Sequence, residues 1–194
     1  NATNIDRSQL TLTHSWDIME NTSIQQTLRK ADYLREYEVK NNSGDIDKSD
    51  ITIENNIEYE FLFKHILKSI NLNGGLELSN PKYESDRITG GKQEKNITGL
   101  FNQLAWSLSP GFDLVAGMRF DKYGDTTVVS PRLALAYKPS DNWTYRTAYG
   151  HGFRAPSFME SLIDWEHIQF GYTVKGNPYL KPEISRGVTI GSEY

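Results

Sequence analysis

The sequence predicts an all-β chain, an antiparallel transmembrane β-barrel segment, and three observations carry that expectation. Apolar residues recur at every second position along most of the 194 residues, the period of a strand with one face in an apolar phase. The connections between these runs are short and long in turn, as in barrels with tight turns on one side of a membrane and long loops on the other. No run approaches about 18 consecutive apolar residues, so a transmembrane helix is excluded. A membrane barrel is not excluded, because its strands alternate lipid-facing and lumen-facing residues.

Read in order, about nine strand candidates emerge. Long polar strands are expected over residues 6–19, 22–38 and 47–62. Next, Ile70, Leu72, Leu76 and Leu78 oppose Asn71, Asn73, Glu77 and Ser79. Leu100, Leu104, Trp106 and Leu108 oppose Gln103, Ala105 and Ser107. The clearest run is 111–121, with Phe112, Leu114, Ala116, Met118 and Phe120 on one face. Leu133, Leu135 and Tyr137 alternate with Arg132, Ala134 and Ala136, and Trp143, Tyr145 and Tyr149 alternate with Arg146 and Ala148. Val188 and Ile190 alternate with Thr189 and Gly191. Tight links are expected near Glu20-Asn21, Lys64-His65, Ser109-Pro110-Gly111 and residues 139–142, and long ones at 41–47, 80–94, 122–130 and 151–182. A closed single-chain barrel has an even strand number, so about nine strands point to a segment of a larger barrel.

Composition is compatible with this and restricts function. Hydrophobic residues make up 37% and net charge is -4; mean hydropathy is -0.60. The 11 Tyr and 4 Trp suit interfacial aromatic girdles. There is no cysteine, which removes disulfides, thiolate metal sites and Cys nucleophiles. Slight acidity without a basic run argues against a nucleic-acid partner. No catalytic constellation is present: the sequence has no G-x-S-x-G, H-E-x-x-H or phosphate-binding glycine loop. The expectation is a protein that is not an enzyme and requires no cofactor. Asp45, Asp47 and Asp50 cluster in an expected outer loop, read as a solvated acidic loop in preference to a Ca²⁺ site.

Two short boxes add a family resemblance. Gly152-Phe153-Arg154-Ala155-Pro156-Ser157 and Gly176-Asn177-Pro178-Tyr179-Leu180-Lys181-Pro182-Glu183 resemble the FRAP and NPxL boxes of TonB-dependent outer-membrane receptors. The preceding Ala116-Gly117-Met118-Arg119-Phe120-Asp121 and Ser130-Pro131-Arg132-Leu133 are similar to that family as well. The motif residues are Phe153, Arg154, Ala155, Pro156, Asn177, Pro178 and Leu180. The resemblance implies a barrel of about 22 strands with a plugged lumen, in the bacterial outer membrane. It implies import of haem, an iron–siderophore or another scarce nutrient such as cobalamin, driven by the TonB complex through the plug. No segment of these 194 residues reads as a plug or a TonB box, so residues 1–194 are expected to be partial barrel in contact with outer-membrane lipid. The competing class is a self-contained small barrel with a structural or adhesin role.

Site residues follow from both lines of reasoning. The prolines of the boxes fix φ and remove donors, which suits loop architecture; direct ligand contact is the other reading. Arg119, Arg132 and Arg146 fall on the polar, lumen-facing side of the alternation, since a charge facing lipid at mid-depth costs about 2–4 kcal/mol. They are candidates for plug docking or a polar ligand path, against a simply solvated lumen. His167 lies between the two boxes, with Trp165 and Tyr172 nearby. The resemblance to haem receptors implies a histidine there that ligates haem iron, with aromatic residues packing on the porphyrin.

Overall fold

Residues 2–40, 43–167 and 171–194 are described by a computed structural model, as are their side chains except those of 47, 48 and 167. Nine long antiparallel strands form one sheet in chain order: β1 (Ala2–Met19), β2 (Thr22–Lys40), β3 (Ile46–Leu67), β4 (Ile70–Ser85), β6 (Ile97–Ser109), β7 (Phe112–Tyr123), β8 (Thr126–Ser140), β9 (Trp143–Arg154) and β12 (Glu183–Glu193). A short β5 (Lys92–Glu94) adds to the upper part of β4. Between β9 and β12 lie helix α1 (Phe158–Leu162) and a hairpin of β10 (Asp164–His167) and β11 (Tyr172–Lys175).

The register sorts side chains onto two faces. One cross-strand row runs Leu12, Leu28, Tyr59, Leu78, Thr98, Lys122; a lower one runs Leu72, Leu104, Ala116, Leu133, Tyr149, Val188. Leu10, Leu12, Trp16, Ile18, Leu100, Trp106, Leu133, Val188 and Ile190 are exposed on this outer face. The buried hydrophobic residues are few, Tyr83, Ile88 and Val128. An apolar exterior over a sparse interior inverts the usual arrangement and is the lipid-facing band of a membrane barrel. Trp106, Phe112, Tyr137, Trp143 and Tyr145 lie near the lower turns, where a girdle belongs.

The opposite face is polar. Arg29 pairs with Glu58 and reaches Glu60 at 3.7 Å, and Arg119 reaches Glu77 at 3.0 Å. Asp121 is 2% exposed and takes two bonds from Arg119 Nε, at 2.8 and 2.9 Å. Arg119, Arg132 and Arg146 share this face: Gly117, two residues before Arg119 on β7, pairs with Arg132, and Ala136, four residues beyond Arg132 on β8, pairs with Arg146.

Three expected connections are corrected. The tight link placed at Lys64-His65 lies at Lys68-Ser69: Phe63, His65 and Leu67 continue the outer face, and Lys68 turns the chain with φ 41. The long loop expected at 122–130 is the two-residue turn Gly124-Asp125, where Gly124 takes φ 57; the β-branched Thr126, Thr127, Val128 and Val129 go on to pair with β7. β4 runs through Pro81 to Ser85. Pro81 lies just beyond the last β4–β6 pair, Ser79 with Ile97, so its missing N–H breaks no ladder. Pro131 behaves alike, since β8–β9 pairing begins at Arg132. The acidic loop also shifts: Ile46 onward is strand, and Asp50 is buried. The side chain of Asp47 lies outside the described residues.

Candidate functional site

The connection 155–182 gathers both boxes at the end of the sheet that also carries the Gly124-Asp125 turn, opposite the turns at Glu20-Asn21, Lys68-Ser69, Pro110-Gly111 and Asp141-Asn142. Box one closes β9. Arg154 lies on the polar face and pairs in register with Glu183, the first residue of β12. Its guanidinium makes two forks. Nε and Nη2 donate to Glu183 at 3.1 and 2.8 Å, and Nη1 and Nη2 donate to Glu160 at 2.9 and 2.8 Å. Bidentate charge-assisted pairs fix orientation as well as distance.

Glu160 does a second job. With Ser157 it forms a capping box at the start of α1: Ser157 N–H donates to Glu160 Oε2 at 2.8 Å, and Glu160 N–H to Ser157 Oγ at 3.1 Å. Hydrogen bonds from Arg154, and then from Ser157, hold the Glu160 carboxyl down at about 2. Box two packs on the other side of α1. Asn177 N–H donates to Glu160 O at 3.1 Å and Gly176 N–H to Ile163 O at 2.6 Å. Asn177 Oδ1 accepts from Tyr179 N–H at 3.0 Å, and Leu180 N–H donates to Asn177 O at 3.2 Å. Together these make a tight turn that leaves Tyr179 86% exposed.

The scaffold is seated on the barrel wall. Pro156 is buried, and its carbonyl accepts from Tyr123 Oη at 2.8 Å. Lys95 donates to the same Tyr123 hydroxyl at 2.6 Å and lies 4.9 Å from the Phe158 ring centre. Phe158 stacks on Tyr83 at 5.7 Å. Beside it opens a cavity of about 710 Å³, lined by Arg7, Gln9, Tyr33, Asn56, Tyr83 and Phe158.

The ligand candidates lie on the hairpin that α1 leads into. Trp165 sits with its ring 5.1 Å from Arg87 Cζ, and Tyr172 is half exposed. His167 faces Tyr172 in backbone register; its side chain lies outside the described residues. Among the three arginines of the polar face, Arg119 is held by Glu77 and Asp121 and Arg146 by Glu193 at 2.6 Å. Arg132 is exposed. Tyr83, Arg87, Lys95, Tyr123 and Glu160 belong to none of the motifs, and Asp50 enters the sequence reading only as part of the acidic loop. Only Glu160 carries a local signature, the S-x-x-E spacing from Ser157.

Comparison with known proteins agrees with this architecture. The family model described as TonB dependent receptor-like, beta-barrel, matches residues 1–194. An iron-regulated outer membrane virulence protein of Vibrio cholerae serotype O1 is 36% identical over 88 residues, 44% of this chain and 13% of that protein. The siderophore receptor PirA of Acinetobacter baumannii superposes with a TM-score of 0.77 at 16% identity, covering 98% of this chain and 32% of its own. A mutant of the ferric enterobactin receptor PfeA of Pseudomonas aeruginosa gives 0.76 at 17%, over 99% and 32%. The FrpB iron transporter of Neisseria meningitidis gives 0.72 at 16%, over 97% and 34%. The chain thus spans about a third of the solved chains and 13% of the curated relative. At these identities the structural likeness shows the fold alone.

Proposed function

The chain belongs to the TonB dependent receptor-like β-barrel family of the outer membrane, and from that premise we propose that it forms part of the barrel of an active transporter for a scarce iron-bearing nutrient, haem or an iron–siderophore. The observation that carries this reading is the loop between the boxes. Arg154, Glu160 and Glu183 tie its base into one piece, so the hairpin Asp164–Lys175 is presented at the loop end of the barrel on a fixed mount. A mount of that kind holds contact residues ready without ordering them at each binding event.

Residues of the hairpin supply the ligand contacts in this proposal. Trp165 and Tyr172 offer ring faces, and His167 offers an imidazole able to ligate haem iron. The box residues Phe153, Arg154, Ala155, Pro156, Asn177, Pro178 and Leu180 act as architecture. Arg132 serves the lumen as a contact for whatever fills it, whereas Arg119 and Arg146 are engaged by their own wall. Energy comes from the TonB complex acting through a plug supplied by sequence other than these residues. Support from relatives is that the Vibrio protein is named iron-regulated, PirA a siderophore receptor and PfeA a ferric enterobactin receptor.

Two probes test the proposal on the complete receptor. Hemin is titrated and followed by its Soret band; ferric enterobactin is titrated and followed by quenching of tryptophan fluorescence. Saturable binding of one probe, with uptake that stops when TonB is deleted, is the expected result. Binding of neither overturns the iron-nutrient reading. If hemin binds and His167→Ala binds it as tightly as the parent, His167 is not an iron ligand.

A further inference from the structure

Two connections of the barrel are zipped together edge to edge. Ile88 and Ile163 form an antiparallel bridge. Thr89 N–H donates to Leu162 O at 2.8 Å, and Asp164 N–H donates to Arg87 O at 2.9 Å. At the end of this zipper the Arg87 side chain is held from two sides. Its guanidinium donates to the Asp50 carboxylate, and its Cζ lies over the Trp165 ring. Asp50 is buried on β3, and its other oxygen accepts from Arg35 of β2 at 2.9 Å. Ser85 and Thr52 complete the seat: Arg87 N–H donates to Ser85 Oγ at 3.2 Å, and Arg35 donates to Thr52 Oγ1 at 3.3 Å.

We propose that Arg87 is a positioning residue for the ligand hairpin, coupling Trp165 on β10 to the barrel wall at β2 and β3 through Asp50. This rests on the reading of that hairpin as the ligand-contacting segment, and it adds the wall residue that sets the hairpin's pose. Backbone bonds at Leu162, Ile163 and Asp164 hold the root of the hairpin, and a root alone leaves its tilt free. The contact of Trp165 with Arg87 lies one residue further out and fixes that tilt. A cation between an aromatic face and a carboxylate binds both at once, so the hairpin is referred to the wall and not merely to the neighbouring loop. Coupling of this kind is reciprocal: a ligand that restrains Trp165 strengthens the Arg87–Asp50 pair, and loss of that pair weakens the ligand's grip.

Hydrogen exchange on the complete, ligand-free receptor tests this, reading peptides that cover residues 164–175. Arg87→Met keeps the aliphatic stem and removes the charge; it is expected to speed exchange there by about tenfold, and Asp50→Asn to do likewise. Arg87→Lys keeps the ion pair and the cation over the ring, and should stay within about twofold of the parent. Peptides from β6 and β7 report that the barrel is intact. Parent-like exchange in Arg87→Met overturns the proposal, because stem packing then suffices. Parent-like exchange in Asp50→Asn overturns the coupling to the wall. Should Arg87→Met fail to fold, the contrast between Arg87→Lys and Asp50→Asn decides by itself. No ligand is present, so failure here is separate from failure of the ligand assignment.

Discussion

At the scale of single residues, close backbone approaches separate the positions that will tolerate change from those that will not. A Cβ on Gly176 would lie 2.5 Å from Leu162 N and Ser161 C and 2.7 Å from Ser161 O. These are backbone atoms of α1 and cannot turn aside. Gly176→Ala is therefore expected to cost about 1–3 kcal/mol and to pry the second box from the helix, seen as new protease cleavage between residues 155 and 182. At Gly99 the obstacle is different. A Cβ there would meet Arg119 Nη2 at 2.5 Å and Asp121 Oδ1 at 3.1 Å. Arg119 can withdraw, but Asp121 then keeps a buried charge with its donor gone, the costly half of breaking a pair. Gly99→Ala should lower the melting temperature of the complete receptor without adding cleavage in the loop. Gly150→Ala, on a strand paired on both sides, meets Pro131 O at 3.7 Å and Arg132 Cγ at 3.9 Å, ordinary contacts, and should match the parent in both assays, which guards against a general intolerance of alanine.

Among the elements, the clamp on α1 has a pH signature whose sign can be worked out. Glu160 titrates at about 2 in the folded loop against an ordinary 4.5. Its pKa is depressed, so its contribution is complete above the ordinary carboxylate range and is lost as pH falls toward about 2. Exchange of the α1 amides should be flat from neutral pH down to the ordinary carboxylate range, after correction for intrinsic rates, and rise below it. Glu160→Gln should show the raised exchange at every pH; a parent-like Gln variant would mean the Arg154–Glu160 fork contributes nothing. The boxes were legible because Pro156, Pro178 and Gly176 punctuate the chain, and the S-x-x-E spacing of Ser157 and Glu160 was there to be read. Their meeting was not legible, because it depends on Arg154 and Glu183 facing each other across β9 and β12, a register set by strands and not by the motif. Asp50 and Arg87 were out of reach for the same reason: they lie 37 residues apart, and a lone acid beside other acids reads as solvated loop.

For the whole molecule, period two was enough to place nine strands and both faces, because each lipid-facing run repeats the same demand at every second residue. It misjudged connections, where a single glycine decides: Gly124 closes a two-residue turn in a stretch whose polarity suggested a long loop. The faces can be tested by one charge moved by one residue. Leu104 lies in the middle of the outer run Leu100, Leu104, Trp106 and Leu108, and Gln103 beside it lies on the polar face, in register with Gly117 and Asn73. Leu104→Arg puts a guanidinium into hydrocarbon at mid-depth and should destabilise the complete receptor in a bilayer by about 2–4 kcal/mol. Gln103→Arg keeps the same charge on the wet side and should shift stability by roughly 0.5 kcal/mol or less. Refolding midpoints in denaturant, read in lipid vesicles, measure both. Equal costs would mean that the apolar face of this sheet is not the one against lipid. A larger cost for Gln103→Arg would invert the sidedness on which the lumen assignment of Arg119, Arg132, Arg146 and Arg154 depends, and would take the mount for the hairpin out of the barrel mouth with it.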